Sequence, residues 1–325
     1  MRRREFITFL GGVAVAWPFA GHAQQPKRLP TIGFLNVDPA MWNSWTGAFV
    51  DRLSALGWID GRTVTIEYRW AQGRPELHTQ FAAEFARLNV NVIVTSGAAV
   101  PAIMQATSSI PIVFAVANDP VGAGMVKSLS RPGGNVTGTS LQTLDLAGKR
   151  FELFREAIPN VRRMAIMADA SFPQAMLEMG AVKELARKID IEVVPLEIRR
   201  TEDIAPAFDK LRAEKIDALY VVSNELLNAN RLLIVTSAQA AKLPTIFGIR
   251  DWVLSGGLMS YGPNFPTLFG RAAEITDRIL RGTQPGDIPV EQPTKFELVI
   301  SLKTAKTIGL NVPPTLLTRA DDVIE

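Results

Sequence analysis

The run VIVTSGAAVPAIMQATSSIPIVFAVAND, residues 92–119, decides the fold. Val92–Thr95 and Ile112–Val116 are short, unbroken apolar segments. That is the pattern of strands buried on both faces of a parallel sheet. Between them Gly97–Thr107 reads as a helix, with Pro101 tolerable only near its first turn. Strand, helix, strand at this spacing makes a βαβ unit.

Toward the N-terminus, Thr31–Leu35 reads as the first strand. Trp45, Phe49, Leu53 and Leu56 recur at helical spacing, and Gly57 ends that helix. Thr63–Tyr68 alternates like a strand, and Leu77, Phe81, Phe85 and Leu88 mark the next helix. Toward the C-terminus the pattern recurs without sequence repetition. Strands are expected at Met164–Ala168, Ile191–Leu196, Ala218–Val222 and Thr245–Phe247, and helices at Gln174–Lys188, Glu202–Ala213 and Ala229–Lys242. The fold class predicted is α/β, with two doubly wound parallel-sheet lobes.

Three turn clusters punctuate the two halves: Arg131-Pro132-Gly133-Gly134-Asn135, Ser255-Gly256-Gly257, and Gly282–Pro289. Each precedes a strand-like run, at Val136–Ser140, Leu258–Tyr261 and Phe296–Ser301. Phe265–Arg281 is read as returning to the first lobe, and the chain from about Val290 as returning to the second. Three hinge crossings then join the lobes. The boundaries expected are 31–138 plus 262–286 for the N-terminal lobe and 139–261 plus 287–325 for the C-terminal lobe.

Residues 1–23 read as a cleavable signal peptide. Arg2, Arg3 and Arg4 form the charged start, Phe6–Ala20 the apolar stretch, and Gly21-His22-Ala23 the cleavage site, leaving Gln24 first. The apolar stretch, interrupted by Gly11, Gly12 and Pro18, is too short to span a bilayer. Arg3-Arg4-Glu5-Phe6-Ile7 is twin-arginine-like, and an ordinary secretory leader also fits it. No cysteine follows the cut, so a lipoprotein is not expected, and a soluble chain held near a membrane partner points to a Gram-negative periplasm. Gln24–Pro30 is a polar linker.

The 325 residues are 47% hydrophobic, enough for two cored domains. Without the three leader arginines and Glu5, 35 basic and 32 acidic side chains become 32 and 31. This near-neutral balance gives no electrostatic case for nucleic acid or a membrane surface. Zero cysteines exclude disulfides, thiolate nucleophiles and cysteine metal sites. Of two histidines, His22 lies in the leader, so only His78 remains. A Ser-His-Asp triad or multi-histidine metal site is then hard to build. No GxxxxGK[ST] loop or GxSxG elbow occurs, and Gly133–Gly138 precedes a strand, so it is no dinucleotide fingerprint. No cofactor, no metal and no catalytic residues are expected.

In open α/β sheets a ligand sits beyond the carboxyl ends of the strands. The strand ends supply the ligand-binding candidates: Asn36, Asp38 and Trp42; Ser96, Gly97 and Ala98; Asn118 and Asp119; Ala170 and Ser171; Ser223 and Asn224; Gly248 and Asp251. Thr139, Ser140 and Tyr261 lie near the crossings. Small residues at Ser96-Gly97-Ala98 expose backbone N–H groups at a helix start, suited to a carboxylate, or form only a tight turn. Asp119 could pair with a ligand ammonium, or cap a helix that Pro120 begins. Trp42 could stack on an aromatic ligand; Trp45, in phase with Phe49, reads as core. Tyr261 could bond a ligand or pack on its crossing. Arg199-Arg200 and Asp321-Asp322 read as solvated charge pairs.

Taken in order, several segments resemble one family. They are the leader, Asp119-Pro120-Val121, Pro132-Gly133-Gly134-Asn135-Val136-Thr137-Gly138, Gly256-Gly257-Leu258-Met259-Ser260-Tyr261-Gly262, Ile279-Leu280-Arg281-Gly282 and Arg319-Ala320-Asp321-Asp322-Val323-Ile324-Glu325. Together they resemble the ABC transporter substrate-binding proteins related to tryptophan/tyrosine-type uptake components. The resemblance implies a type I periplasmic-binding fold and no enzymatic activity. It implies a monomer that closes on a small ligand and delivers it to ABC permease subunits in the inner membrane. Aromatic amino acids or related aromatic carboxylates are the ligands it suggests. On this reading a carboxylate docks at Ser96 and Gly97, and Ser171 and Asn224 close over it. Two other readings stay open: a sensory protein presenting ligand to a receptor, and a periplasmic enzyme using carboxylates such as Asp38 and Asp119.

Overall fold

The computed structural model describes residues 29–36 and 39–325, with side chains from residue 43 onward in the second stretch. The leader, most of the linker, Asp38 and the side chain of Trp42 lie outside the described residues.

The first lobe opens with β1 (Thr31–Asn36), α1 (Pro39–Ala55), β2 (Thr65–Trp70), α2 (Pro75–Leu88), β3 (Val92–Ser96), α3 (Val100–Ala106), β4 (Ile112–Ala117) and β5 (Val136–Ser140). The five strands pair in the order β2-β1-β3-β4-β5, all parallel. β3 and β4 are buried along their whole length, because helices cover both faces of the sheet. Two local expectations shift. The second strand runs 65–70 rather than 63–68, because Thr63 Oγ1 donates to Gly57 O and accepts from Ile59 N–H, holding 57–63 in a turn. The helix expected at 97–107 opens as a tight turn at 97–99 and is α-helical only from Val100, with Pro101 in its first turn.

The second lobe holds α4 (Thr143–Ala157), β6 (Arg163–Asp169), α5 (Pro173–Arg187), β7 (Glu192–Ile198), α6 (Ile204–Ala213), β8 (Ala218–Val221), α7 (Glu225–Ala229), α8 (Arg231–Ala240), β9 (Thr245–Phe247), α9 (Arg250–Leu254) and β10 (Met259–Pro263). Then α10 (Phe265–Leu280) packs on α1 and the first sheet. The chain finally returns as β11 (Phe296–Ser301), α11 (Leu302–Ile308), α12 (Pro314–Thr318) and β12 (Asp322–Ile324). The second sheet is β12-β11-β10-β9-β8-β6-β7, so read from its β7 end, β7-β6-β8-β9-β10 repeats the order of the first lobe. β11 pairs antiparallel with β10 and parallel with β12, so these last two strands run against the other five. The reason is the excursion through α10: β10 leaves toward the first lobe, so β11 re-enters from that end.

The chain passes between the sheets after Ser140, at Asn264, and after Glu291. Glu291 still donates its N–H to Gly138 O and accepts from Ser140 N–H before β11 begins. The α10 helix is fixed in the first lobe by an apolar stripe of Phe265, Leu268, Phe269, Ala272, Ala273, Ile275 and Ile279, all buried. Asn264 caps it by accepting from Thr267 N–H at 2.9 Å. Gly262 is required at this crossing, since a Cβ there would collide with Gly248 O. Among the described residues no helix is long and apolar enough to cross a membrane.

Candidate functional site

The carboxyl ends of the two sheets face one another across a cleft lined by both lobes. The first lobe lines it with Ser96, Gly97 and Ala98 after β3, and with Asn118 and Asp119 after β4. The second lobe adds Ser223, Asn224 and Glu225 after β8, and Gly248 after β9. Apolar walls come from Trp45, Val116, Met125, Leu141, Phe172, Ile249, Pro263 and Phe265. Three aromatic rings, from α1, α10 and the loop before α5, thus border a polar floor.

Several lining groups are already committed. Asp119 Oδ1 accepts from Gly122 N–H at 2.8 Å, so this aspartate caps a turn while it borders the cleft. Asn118 Oδ1 accepts from Thr143 Oγ1 at 2.7 Å, tying the end of β4 to the start of α4. Asn224 caps α7 by accepting from Leu227 N–H at 2.9 Å, and its amide donates to Asp169. Ser223 Oγ accepts from Gly248 N–H at 3.4 Å.

Besides the Thr143–Asn118 bond, two side-chain bonds bridge the lobes. Trp45 Nε1 donates to Asp251 Oδ2 at 3.2 Å, and His78 Nε2 lies 3.1 Å from Glu225 Oε1. Burial pushes the Asp251 carboxyl up, opposed by the charge of Arg231 and by the Trp45 donor. Trp45 is buried and rests on Phe265 with centroids 4.6 Å apart, so it serves the core and the cleft wall together.

The other expected residues lie outside this lining. Thr139 Oγ1 donates to Ala115 O, and Ser140 is held by Glu291 through its backbone. Ser171 turns its hydroxyl onto Asp169. Tyr261 packs its ring on Phe296 and offers its carbonyl to Arg150. Asn36, at the end of β1, is buried with no hydrogen-bond partner on its side-chain amide among the described residues. Asp251 acts across the lobes as described, and the side chain of Trp42 is outside the described residues.

The sequence reading missed several polar lining groups, Thr143, Gln174, Glu225 and Asn228 among them, and the most buried is Arg150, on α4, which is only 1% exposed. Its Nη1 donates to Glu178 Oε1 at 2.5 Å and to Tyr220 Oη at 2.8 Å, while Tyr220 Oη donates to Glu178 Oε1 at 2.7 Å. Burial drives the Glu178 carboxyl up, against the pull of Arg150, and drives the Tyr220 phenol well up. A guanidinium keeps its proton in proteins, so Arg150 stays charged. The signal lay in helical phase. Arg150 falls four residues after Leu146 and four before Phe154, a core position occupied by a charge. Glu178 does the same beside Ala175, Met179 and Val182. Among the described residues no cluster of three or more potential ligands is arranged to hold a metal ion.

Comparison with known proteins matches this architecture. The chain is similar to a tyrosine-binding protein of Clostridioides difficile (strain R20291), 30% identical over 264 residues, covering 81% of this chain and 75% of that protein. It is similar to the ABC domain in complex with L-Trp from Streptococcus pneumonia, with a TM-score of 0.84 and 26% identity over 91% of this chain and 100% of that one. It is also similar to the ligand-free, open structure of a substrate-binding protein with adhesive properties from Clostridium difficile, with a TM-score of 0.66 and 28% identity over 91% of this chain and 99% of that one. Of these two structures, the ligand-bound one superposes better, in keeping with the bonds that join the lobes here. Residues 34–324 match the family described as ABC transporter substrate binding protein, and the chain belongs to that family, with its type I periplasmic-binding fold.

Proposed function

We propose that this chain is the periplasmic solute-binding component of an ABC uptake system, and that it takes an aromatic amino acid or a related aromatic acid between its lobes. The observation that carries the reading is the cleft itself: polar turns from both sheets converge on a space bordered by Trp45, Phe172 and Phe265. An aromatic side chain can pack on those rings, while the charged end meets the strand-end groups. The tyrosine-binding relative and the L-Trp complex support this ligand class. The twin-arginine-like leader supports export, and inner-membrane permease subunits are the partners that the family membership suggests.

Binding works by hinge closure. The ligand touches both lobes at once only when they are together, so its binding energy favours the closed form. Trp45–Asp251 and His78–Glu225 add closed-state contacts of their own. A Kd near 1 µM corresponds to about 8 kcal/mol, which charge-assisted hydrogen bonds and a stacked ring supply together.

Isothermal titration of the mature chain with the protein amino acids and a set of aromatic acids tests this. Saturable 1:1 binding of L-tyrosine or L-tryptophan is expected, with the compound recovered unchanged. Absence of binding by every aromatic compound, or its chemical turnover, contradicts the reading.

A further inference from the structure

We infer that Arg150 is the carboxylate anchor of the cleft, held in place by Glu178 and Tyr220, an assignment that rests on reading the cleft as a site for a small carboxylate. The argument follows from counting donors. A guanidinium carries five N–H groups in a rigid fork. On Arg150, Nε donates to Tyr261 O at 3.0 Å, and Nη1 donates to Glu178 Oε1 at 2.5 Å and Tyr220 Oη at 2.8 Å. Nη2 has no hydrogen-bond partner among the described residues, although the side chain is 99% shielded from solvent.

Nη2 lies beside Gly248, where a Cβ would stand 3.3 Å from it and 3.2 Å from Ser223 Oγ. Arg150, Gly248 and Ser223 all line the cleft. Three of the five donors therefore fasten the guanidinium to the second lobe, and the remaining edge is directed at the ligand space. Glycine at 248 leaves that edge uncovered. The two N–H groups of Nη2 face the cleft with no acceptor from the described residues, and a ligand carboxylate oxygen there would form a charge-assisted hydrogen bond.

The Ser96-Gly97 turn is the weaker anchor. It offers backbone N–H groups from a three-residue turn and no full charge. Charge-assisted hydrogen bonds are about twice as strong as neutral ones. Arg150 also needs little ordering on binding, because Glu178 and Tyr220 have already fixed its orientation. In this arrangement the ligand carboxylate rests on the second lobe, and an amino group faces the acidic lining of Asp119 and Glu225.

The test compares acids with their amides, for wild type, Arg150→Met and Arg150→Lys. L-tyrosine and L-tryptophan are titrated against L-tyrosinamide and L-tryptophanamide, which lack the negative charge but keep ring and amine. Wild type is expected to prefer the acid on the order of 100-fold, as for loss of a buried charge-pair partner. Arg150→Met should lose that preference by weakening the acid and not the amide. Arg150→Lys, which keeps the charge without the fork, should fall between. Melting of each apo protein reports folding, and should Arg150→Met fail to fold, the wild-type ratio and Arg150→Lys decide the matter. Equal affinity of wild type for acid and amide, or an unchanged preference in the Arg150 variants, would overturn the assignment. A wild type that prefers an aliphatic amino acid, or an aromatic acid lacking an amine, removes the aromatic amino-acid reading. The same acid-to-amide comparison on that compound then tests Arg150.

Discussion

At the residue scale, the cleft is built from side chains that each have a second duty, so truncation separates structure from binding. Asp119 is the clearest case. Its carboxylate caps the Gly122 N–H, and it also borders the cleft. Losing a cap of this kind costs about 1 kcal/mol, or about 2–4 °C in a domain-sized unit. Asp119→Ala is therefore expected to lower the apo melting midpoint by only a few degrees while weakening an amino-acid ligand about tenfold. A midpoint that falls while affinity holds would leave Asp119 as a cap alone. Asn224 is bound more tightly into the frame, because it caps α7 and bonds Asp169 in a buried position. Asn224→Ala should cost the apo protein about 1–3 kcal/mol in denaturant unfolding, since the buried Asp169 oxygen loses its donor.

At the element scale, stability rests on helix faces locked onto the sheets. The α10 stripe is the main example, and Phe269, fully buried against Trp45 and the first-lobe core, is its centre. Phe269→Ala is expected to destabilise the first lobe by about 3–5 kcal/mol, seen as a lower urea midpoint at unchanged slope. Legibility from sequence followed the strength of local patterns. β3 and β4 were readable because Val92–Thr95 and Ile112–Val116 are unbroken apolar runs that only a doubly covered sheet accommodates. The strand-end rule then brought Ser96, Gly97, Ala98, Asn118, Asp119, Ser223 and Asn224 to the cleft. Helix α4 was not readable as an element, because its apolar face carries Arg150 and its surface is charged. The rule likewise named Thr139, Ser140 and Ser171, whose hydroxyl or backbone bonds go to their own lobe's framework or to a neighbouring strand. Strand-end position alone does not reveal which way such a group is spent.

At the scale of the whole molecule, the two lobes are joined by three chain crossings and by side-chain bonds that exist only when they meet. Trp45→Phe keeps the ring on Phe265 and removes the donor to Asp251. It is expected to weaken ligand binding several-fold with little change in apo melting, because the lost bond belongs to the closed form alone. An unchanged affinity would make the Trp45–Asp251 bond irrelevant to closure. Small-angle X-ray scattering of the mature chain, with and without saturating L-tyrosine or L-tryptophan, reaches the central claim most directly. Closure around the ligand predicts a radius of gyration that falls saturably as the compound is added. A scattering profile that stays the same while calorimetry registers binding would contradict it.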